Sequence, residues 1–390
     1  MKLPDGWRKD RLGDLVVGNI RNGYSPVCDL SGDTCGWMLS LGALTPHGLD
    51  YSQRKAAPVD PALTRVELQD NDILISRSNT PDRVGMSSIF HVQEENYFYP
   101  DLMMRFQFDS DRLLPLFGWY YLNTPEARSY FKRKASGTSS SMVKITSATV
   151  RSLEIPYPPL PEQRRIAEFL GTWDEAIEKL EQLIAAKGKR FHGLIQMLIS
   201  GKKGQWATIR LGNLFSERNE SNYPLGELLA ITGERGVVRR SELDKVDSSS
   251  EDKSQYLRIY PGDIGYNTMR MWQGVCGVSR YDGIVSPAYT ILVPAQNVNA
   301  DFAVFYFKTP PVIHIFKRHS QGLVDDTLNL KYHHFSQIRL PFPELSEQNR
   351  IAEILTIAQN ELNLLRKELA ALQKQKRGLM QKLLTGTWRV

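Results

Sequence analysis

The chain is expected to be an α+β protein: two similar mixed α/β domains separated by two long antiparallel coiled-coil helices, with a pseudo-twofold internal repeat. Three observations lead there. The stretch Leu160 to Gly201 returns as Leu345 to Gly386 without a gap, at a constant offset of 185 residues. Within each copy the apolar residues alternate in steps of four and three, the seam of a coiled coil. Before each copy lie short β-branched segments bounded by Gly, Pro or Asn, as strands are.

The repeat reaches beyond the rods, with an offset that shrinks as each rod is approached. Arg11, Leu12 and Gly13 answer to Arg210, Leu211 and Gly212 at an offset of 199. Asp72 and Ile73 answer to Asp263 and Ile264 at 191, and Thr124 and Pro125 to Thr309 and Pro310 at 185. The expected domains are therefore 1–157, a rod at 158–203, a second domain at 204–342 and a second rod at 343–390.

Within the first domain, Asp72-Ile-Leu-Ile-Ser and Ile89-Phe-His-Val read as strands, as does Tyr289-Thr-Ile-Leu-Val in the second. Helical segments follow, Leu113 to Ala135 and Asp301 to His319, each interrupted by Thr-Pro and ending in a basic cluster, Lys132-Arg-Lys134 or Lys317-Arg-His319. A polar loop comes next, Ser136-Gly-Thr-Ser-Ser-Ser141 or Ser320-Gln-Gly-Leu, and then a strand into a Pro-rich strip and the rod.

The first seam consists of Ile166, Leu170, Trp173, Ile177, Leu180, Ile184, Phe191, Leu194 and Leu198. The second has Ile351, Leu355, Ala358, Leu362, Leu365, Leu369, Leu372, Leu379 and Leu383. At roughly 1.5 Å per residue each rod spans about 60 Å, the dimension of a spacer. Acidic residues (Asp174, Glu175, Glu178, Glu181) occupy the first half of the first rod, and basic ones (Lys187, Lys189, Arg190, Lys202, Lys203) its far end, which favours antiparallel pairing. Lys187 stands against Leu372 and Phe191 against Lys376, so the twofold is imperfect.

Composition bounds the function. The 390 residues, 41% hydrophobic, suffice for two or three domains. A net charge of +6 and a pI near 9.0 permit nucleic-acid binding without demanding it. Cys28, Cys35 and Cys276 lack zinc-site spacing and are read as reduced thiols of a cytoplasmic protein. The start has no apolar secretory stretch, and the most apolar run, Leu113 to Leu122, is too short to cross a bilayer.

Catalytic motifs are not found: no phosphate-cradling G-x-x-x-x-G-K-[ST], no G-x-S-x-G and no H-E-x-x-H. The double prolines Pro158-Pro159 and Pro310-Pro311 lack the neighbours of an amino-methyltransferase loop. Glu251-Asp-Lys253 has the E-x-K form of a nuclease site but reads as a solvated, Ser-rich turn. The histidines, including His314, His319, His333 and His334, have no partner ligands at metal spacing. Nothing points to a catalytic, cofactor or metal residue.

What the loops do carry suits DNA. Basic and amide side chains interleave with aromatics at Arg21, Asn22 and Tyr24; at Arg77, Ser78, Asn79 and Arg83; at Arg235 and Arg239; and at Asn267, Arg270, Trp272 and Gln273. Arg reads guanine edges and Asn or Gln reads adenine edges, while Lys, Ser and Thr hold phosphates. The second type is supplied by Lys132, Arg133, Ser136, Gly137, Thr138, Ser139 and Lys144, and by Lys317, Arg318 and Gln321. A coiled-coil adaptor whose globular parts bind only proteins has the same layout and stays open on the residues alone.

Leu160-Pro-Glu-Gln-Arg-Arg-Ile-Ala with its copy Leu345-Ser-Glu-Gln-Asn-Arg-Ile-Ala, the Gly-Leu-x-Gln-x-Leu-x-x-Gly ends of both rods, and Asp72-Ile-Leu-Ile-Ser-Arg-Ser-Asn narrow the choice. Over its whole length the chain resembles the specificity (S) subunit of type I restriction-modification systems. The resemblance implies two target-recognition domains, each reading half of a bipartite sequence in double-stranded DNA, with the rods setting the unread gap. It implies partners too: two methyltransferase (M) subunits that bind S-adenosylmethionine, and restriction (R) subunits that use ATP and Mg²⁺. No cofactor is then expected on this chain. The motif residues Glu162, Gln163, Arg165, Ile166, Glu347, Gln348, Arg350 and Ile351 are assigned to subunit binding and the spacer.

Overall fold

The structure, a computed structural model, describes all residues except 1–2, 27–32, 140–141, 200–203, 224, 244–251, 323 and 325–326. It divides into two units, Met1–Glu181 with Lys367–Val390, and Gln182–Arg366. The division cuts across both rods, so each unit takes part of each.

In the first unit, the alternating apolar residues of Met103–Phe108 make the central strand of a four-stranded antiparallel sheet. It pairs with Val16–Asn22 on one side and Ile73–Ser76 on the other, and Ser87–Ile89 closes the edge. The segment expected as a strand from Ile89 is regular strand only to Ile89, and buried Phe90 still donates its amide to the Asp72 carbonyl and accepts from the Asn71 amide. Helices α1 (Pro115–Leu122) and α2 (Pro125–Lys134) cover this sheet, joining Phe117, Trp119 and Phe131 to Ile73, Ile75, Met104 and Phe106 in one apolar cluster. Their break is local chemistry: Thr124 donates its hydroxyl to the Tyr121 carbonyl, accepts from the Ala127 amide, and precedes a proline set to begin a helix. Helix α3 (Ser147–Arg151), capped by Thr146, leads into Glu154–Tyr157, which pairs antiparallel with Arg8–Arg11. The long helix α4 (Leu160–Leu198) begins directly afterwards.

The second unit repeats the order. Tyr289–Pro294 lies between Phe215–Glu217 and Ile264–Asn267, with Cys276–Val278 at the edge, all antiparallel. Helices α5 (Ala300–Phe307) and α6 (Pro310–His319) cover it, and Thr309 donates to the Tyr306 carbonyl as Thr124 does to that of Tyr121. Helix α7 (Tyr332–Phe335) and the pair Ala207–Arg210 with Arg339–Phe342 lead into α8 (Leu345–Leu384). The fold is therefore mixed α+β, built twice.

Each long helix is fastened to its unit by one glutamine in its first turn. Gln163, fully buried, accepts from the Leu114 amide at 2.8 Å and donates to the carbonyls of Arg112 and Pro158 at 2.9 Å. Gln348 repeats all three bonds, accepting from Asn299 at 2.8 Å and donating to Asn297 at 3.1 Å and Pro343 at 2.8 Å. Only a side chain with both an acceptor and two donors can close this set.

In the first unit the two long helices pack with opposed directions, because Glu162 meets Arg389, Asp174 meets Lys376 and Glu181 meets Gln373. In the second unit Lys187 meets Glu361 at 2.5 Å, and Leu198 shares a core with Ile351 and Leu355. None of the expected seam residues is exposed: Ile166, Leu170, Ile177, Ile351, Leu355, Leu362 and Leu383 are buried and the middle positions are half-buried.

The mismatched seam position has a definite structure. Lys376, with 3% of its side chain exposed, pairs with Asp174 and lies 5.3 Å from the ring centroid of Tyr120, whose hydroxyl donates to Asp174 at 2.7 Å. Burial beside that carboxylate pushes the Tyr120 hydroxyl far above its usual pKa. The corresponding residues of the second unit are Phe191, Phe305 and Gln359, and there the two phenylalanine rings pack edge to face. A buried polar set in one unit thus replaces an apolar pair in the other, which disfavours pairing the wrong helix ends. Lys376→Ala should cost about 2 kcal/mol, less than the full penalty for stranding a buried charge because Asp174 remains partly exposed. Changing Lys376→Phe, Asp174→Gln and Tyr120→Phe together should restore stability to within about 1 kcal/mol, as read by urea unfolding.

Candidate nucleic-acid interface

The first unit joins a hairpin and one distant segment into a small sheet. Met142–Lys144 pairs with Ser136–Ser139 on one side and Ser78–Asn79 on the other, with Val143 opposite Asn79 and Lys144 opposite both Ser78 and Ser136. The exposed side chains Ser136, Met142 and Lys144 stand beside the C-terminal turn of α2, where Lys132, Arg133 and Lys134 are exposed as well. Gly137, exposed, lets the Met142 carbonyl approach where a Cβ would meet it at 2.8 Å. Thr138 and Ser139 lie in the strand, and their side chains are outside the described residues.

Not every expected contact residue faces outward. Ser78 is buried, which removes it from any direct contact. Asn79 holds the turn, donating to Ser76 and accepting from the Thr80 amide at 2.9 Å. Arg83 donates to the Leu44 carbonyl at 3.1 Å. Lys132 pairs with Asp82 at 2.6 Å and holds that carboxyl below the usual range. Arg128 braces the same loop from α2 by donating to the Asp82 and Val84 carbonyls, and burial pushes its guanidinium down to about 10.

A second basic surface of this unit is concave. Arg21, Asn22 and Tyr24 line a cavity of about 640 Å³ together with Arg65, Gln69 and Arg105. Arg105 is set by the buried Asp72 at 3.1 Å, and the Tyr24 hydroxyl donates to Asp60. Arg77 reaches the Asp101 carbonyl, and Asp101 accepts from Ser25, next to Tyr24. Arg65 and Arg105 carried no sequence signal, since the chain does not show that a sheet register sets Arg105 opposite Arg21.

In the second unit the tight turn Met271–Gln273 packs against α6. Arg270 lies 3.4 Å from Gln273, the Trp272 indole donates to the Met269 carbonyl, and the Lys317 ammonium sits 5.0 Å from the Trp272 ring centroid. Asn267 caps the turn by accepting from the Met269 amide, and Gln321 is bridged through its backbone to Asn329. Arg270, Gln273, Lys317, Arg318 and Gln321 are exposed together with Met269. Arg235 and Arg239 lie elsewhere, on a hairpin. Each is matched with a carboxylate, Glu242 at 2.6 Å and Glu227 at 2.9 Å.

Of the rod residues, Glu162, Gln163, Ile166, Gln348 and Ile351 are buried in their own units, where they anchor the helices. Glu162 holds Arg389 through two bonds of 2.6 and 2.7 Å, Glu347 accepts from the Trp206 indole, and exposed Arg165 donates to the Val390 carbonyl. Arg350 is exposed. Among the described residues no group of His, Cys, Asp and Glu could hold a metal. Cys35 and Cys276 are free thiols, and burial pushes that of Cys276 up to about 11. Cys28 and Glu251 lie outside the described residues. No described helix is long and apolar enough to cross a membrane.

These observations define a class: an internally duplicated α+β protein whose two copies expose chemically different polar faces at corresponding places. Comparison with known proteins is specific. The chain belongs to the family of type I restriction modification DNA specificity domains, which matches residues 65–186 and again 204–374. It is 22% identical to the specificity subunit of the type I restriction enzyme MjaVIII of Methanocaldococcus jannaschii, across 100% of this chain and 95% of that one. The S subunit of the M. genitalium type I system has a similar fold, with a TM-score of 0.61 at 16% identity over 98% of both chains. So does a chain from a structure of type I complex assembly and conformational transition, with a TM-score of 0.57 at 16% identity, covering 98% of this chain and 99% of that one.

The free and the matched basic residues should behave differently. Arg133→Ala and Lys144→Ala should each weaken binding to duplexes of any sequence and lower the slope of log affinity against log salt by about 1. Arg239→Ala should leave both within about twofold. Fluorescence anisotropy at several salt concentrations measures this.

Proposed function

We propose that the chain is the DNA sequence-recognition subunit of a type I restriction-modification complex, reading a bipartite target with 1–157 and 204–342 as its two recognition domains. The rods 158–203 and 343–390 serve as an antiparallel coiled-coil spacer that sets the gap between half-sites. What supports this most is one scaffold built twice with unlike faces: Ser136, Lys144 and the α2 terminus in one unit, Arg270, Trp272, Gln273 and the α6 terminus in the other. Two short half-sites of different sequence require a common frame with exchanged contacts.

In this reading the chain is non-catalytic and cytoplasmic. Two methyltransferase subunits bring S-adenosylmethionine, and restriction subunits bring ATP and Mg²⁺. The described residues divide the work of recognition. Exposed Arg133, Lys144 and Arg318 meet phosphates, which position the subunit. Asn22, Arg270 and Gln273 reach base edges, where two-bond pairing distinguishes guanine from adenine.

Exchanging 1–157 for the same part of a relative, with the methyltransferase subunits coexpressed, tests the division. Methylated adenines mapped across the host genome should show one half-site altered and the other retained. A change in both halves contradicts independent readers.

A further inference from the structure

Three histidines of the second unit come together, His319 from one helix and the consecutive pair His333 and His334 from the next. His319 ends α6, and His333 and His334 lie on α7, which packs against α6. The rings of His333 and His334 are 3.7 Å apart between centroids. His319 donates Nδ1–H to the Ile315 carbonyl at 2.9 Å, which leaves the ring lone pair on Nε2. Nε2 of half-buried His334 has no hydrogen-bond partner among the described residues.

His333, His319 and Lys331 all act on His334, which burial and these neighbours hold below the usual histidine pKa, and no described carboxylate is among them. Lys317 and Arg318 precede His319 on α6, and Lys317 lies over Trp272 of the packed turn that also carries Arg270. On α7 itself, the Tyr332 hydroxyl feels the Glu217 carboxylate and the Arg210 guanidinium. A site rich in donors and cations suits an anion.

The first unit has no such cluster. At the repeat offset of 185, Lys134, Ala148 and Thr149 occupy the places of His319, His333 and His334. One unit carries a lysine where the other carries a histidine.

We infer that His319, His333 and His334, with Lys317, Arg318 and Lys331, form a phosphodiester-contact site in the second unit that takes up protons when nucleic acid binds. The inference rests on the DNA-reading function proposed above. The sign follows from linkage. A phosphate placed among these groups favours the imidazolium, so the bound state holds more protons and binding strengthens as pH falls through the histidine range.

The test measures duplex affinity of the full chain by anisotropy at fixed ionic strength from pH 8 to pH 6. Wild-type binding should be about tenfold tighter at pH 6 than at pH 8. The variant His319→Gln/His333→Gln/His334→Gln should lose most of the pH dependence, its affinity at pH 6 falling to within about threefold of its own affinity at pH 8. If that variant fails to fold, the exposed pair His319→Gln/His333→Gln should lose part of it. An unchanged pH slope in a folded variant overturns the inference while leaving DNA reading intact; no duplex binding at any pH overturns both. Imidazole resonances separate the two phosphate sources. A rise of the histidine pKa values with duplex but not with inorganic phosphate supports a backbone contact. The same rise with inorganic phosphate alone overturns the role on DNA and leaves a free-anion site.

Discussion

One buried glutamine at the start of each long helix sets the geometry on which the other contacts rest. Gln163 and Gln348 each satisfy one backbone amide and two backbone carbonyls that lie where the globular part hands over to the helix. Removing such a side chain leaves these groups desolvated and unpaired, at about 1–3 kcal/mol each. The bonds fix the direction in which a helix leaves its unit. The strands of each unit are then held in a defined relation to the helix that begins there. Glu162 and Glu347, one residue earlier, reinforce the junctions with different partners, Arg389 and Trp206.

On that common frame the two units diverge where divergence is useful. Two ion pairs built on buried carboxylates illustrate how. Asp72 and Asp263 are equivalent carboxylates, but Asp72 holds Arg105 from the central strand, whereas Asp263 holds Arg218 from the segment after the edge strand. Position in the frame is retained and the supplier of the guanidinium changes. The same freedom separates the Lys376, Asp174 and Tyr120 set from Phe191 and Phe305, giving the helix pairing a direction at little structural cost.

Much of this was legible in the chain because its signals are local or periodic. The four-three seam, the Thr-Pro breaks before α2 and α6 and the repeat offset need no knowledge of distant neighbours, and the helices follow them. Side-chain availability is different, being settled by residues far away in sequence. Nothing near Arg239 announces Glu227, and nothing near Arg83 announces the Leu44 carbonyl. Ser78 lies in a polar run yet is buried by the pairing of Ser78–Asn79 with Met142–Lys144. The anchoring role of Gln163 was hidden too, since a buried amide and a surface amide look alike until their partners are placed. A closer use of the repeat, setting Lys134 against His319, would have drawn attention to the histidines of the second unit.

If the helices act as a ruler, its length must appear in the DNA sites that the complex modifies. Inserting one heptad at matched seam positions of α4 and α8 keeps the apolar register and lengthens the pair by about 10 Å, or about three base pairs of duplex. Methylation mapping of the resulting complex should return the same two half-sites with the unread gap enlarged by about three base pairs. The same half-sites at an unaltered gap, from a folded and active complex, would contradict the account.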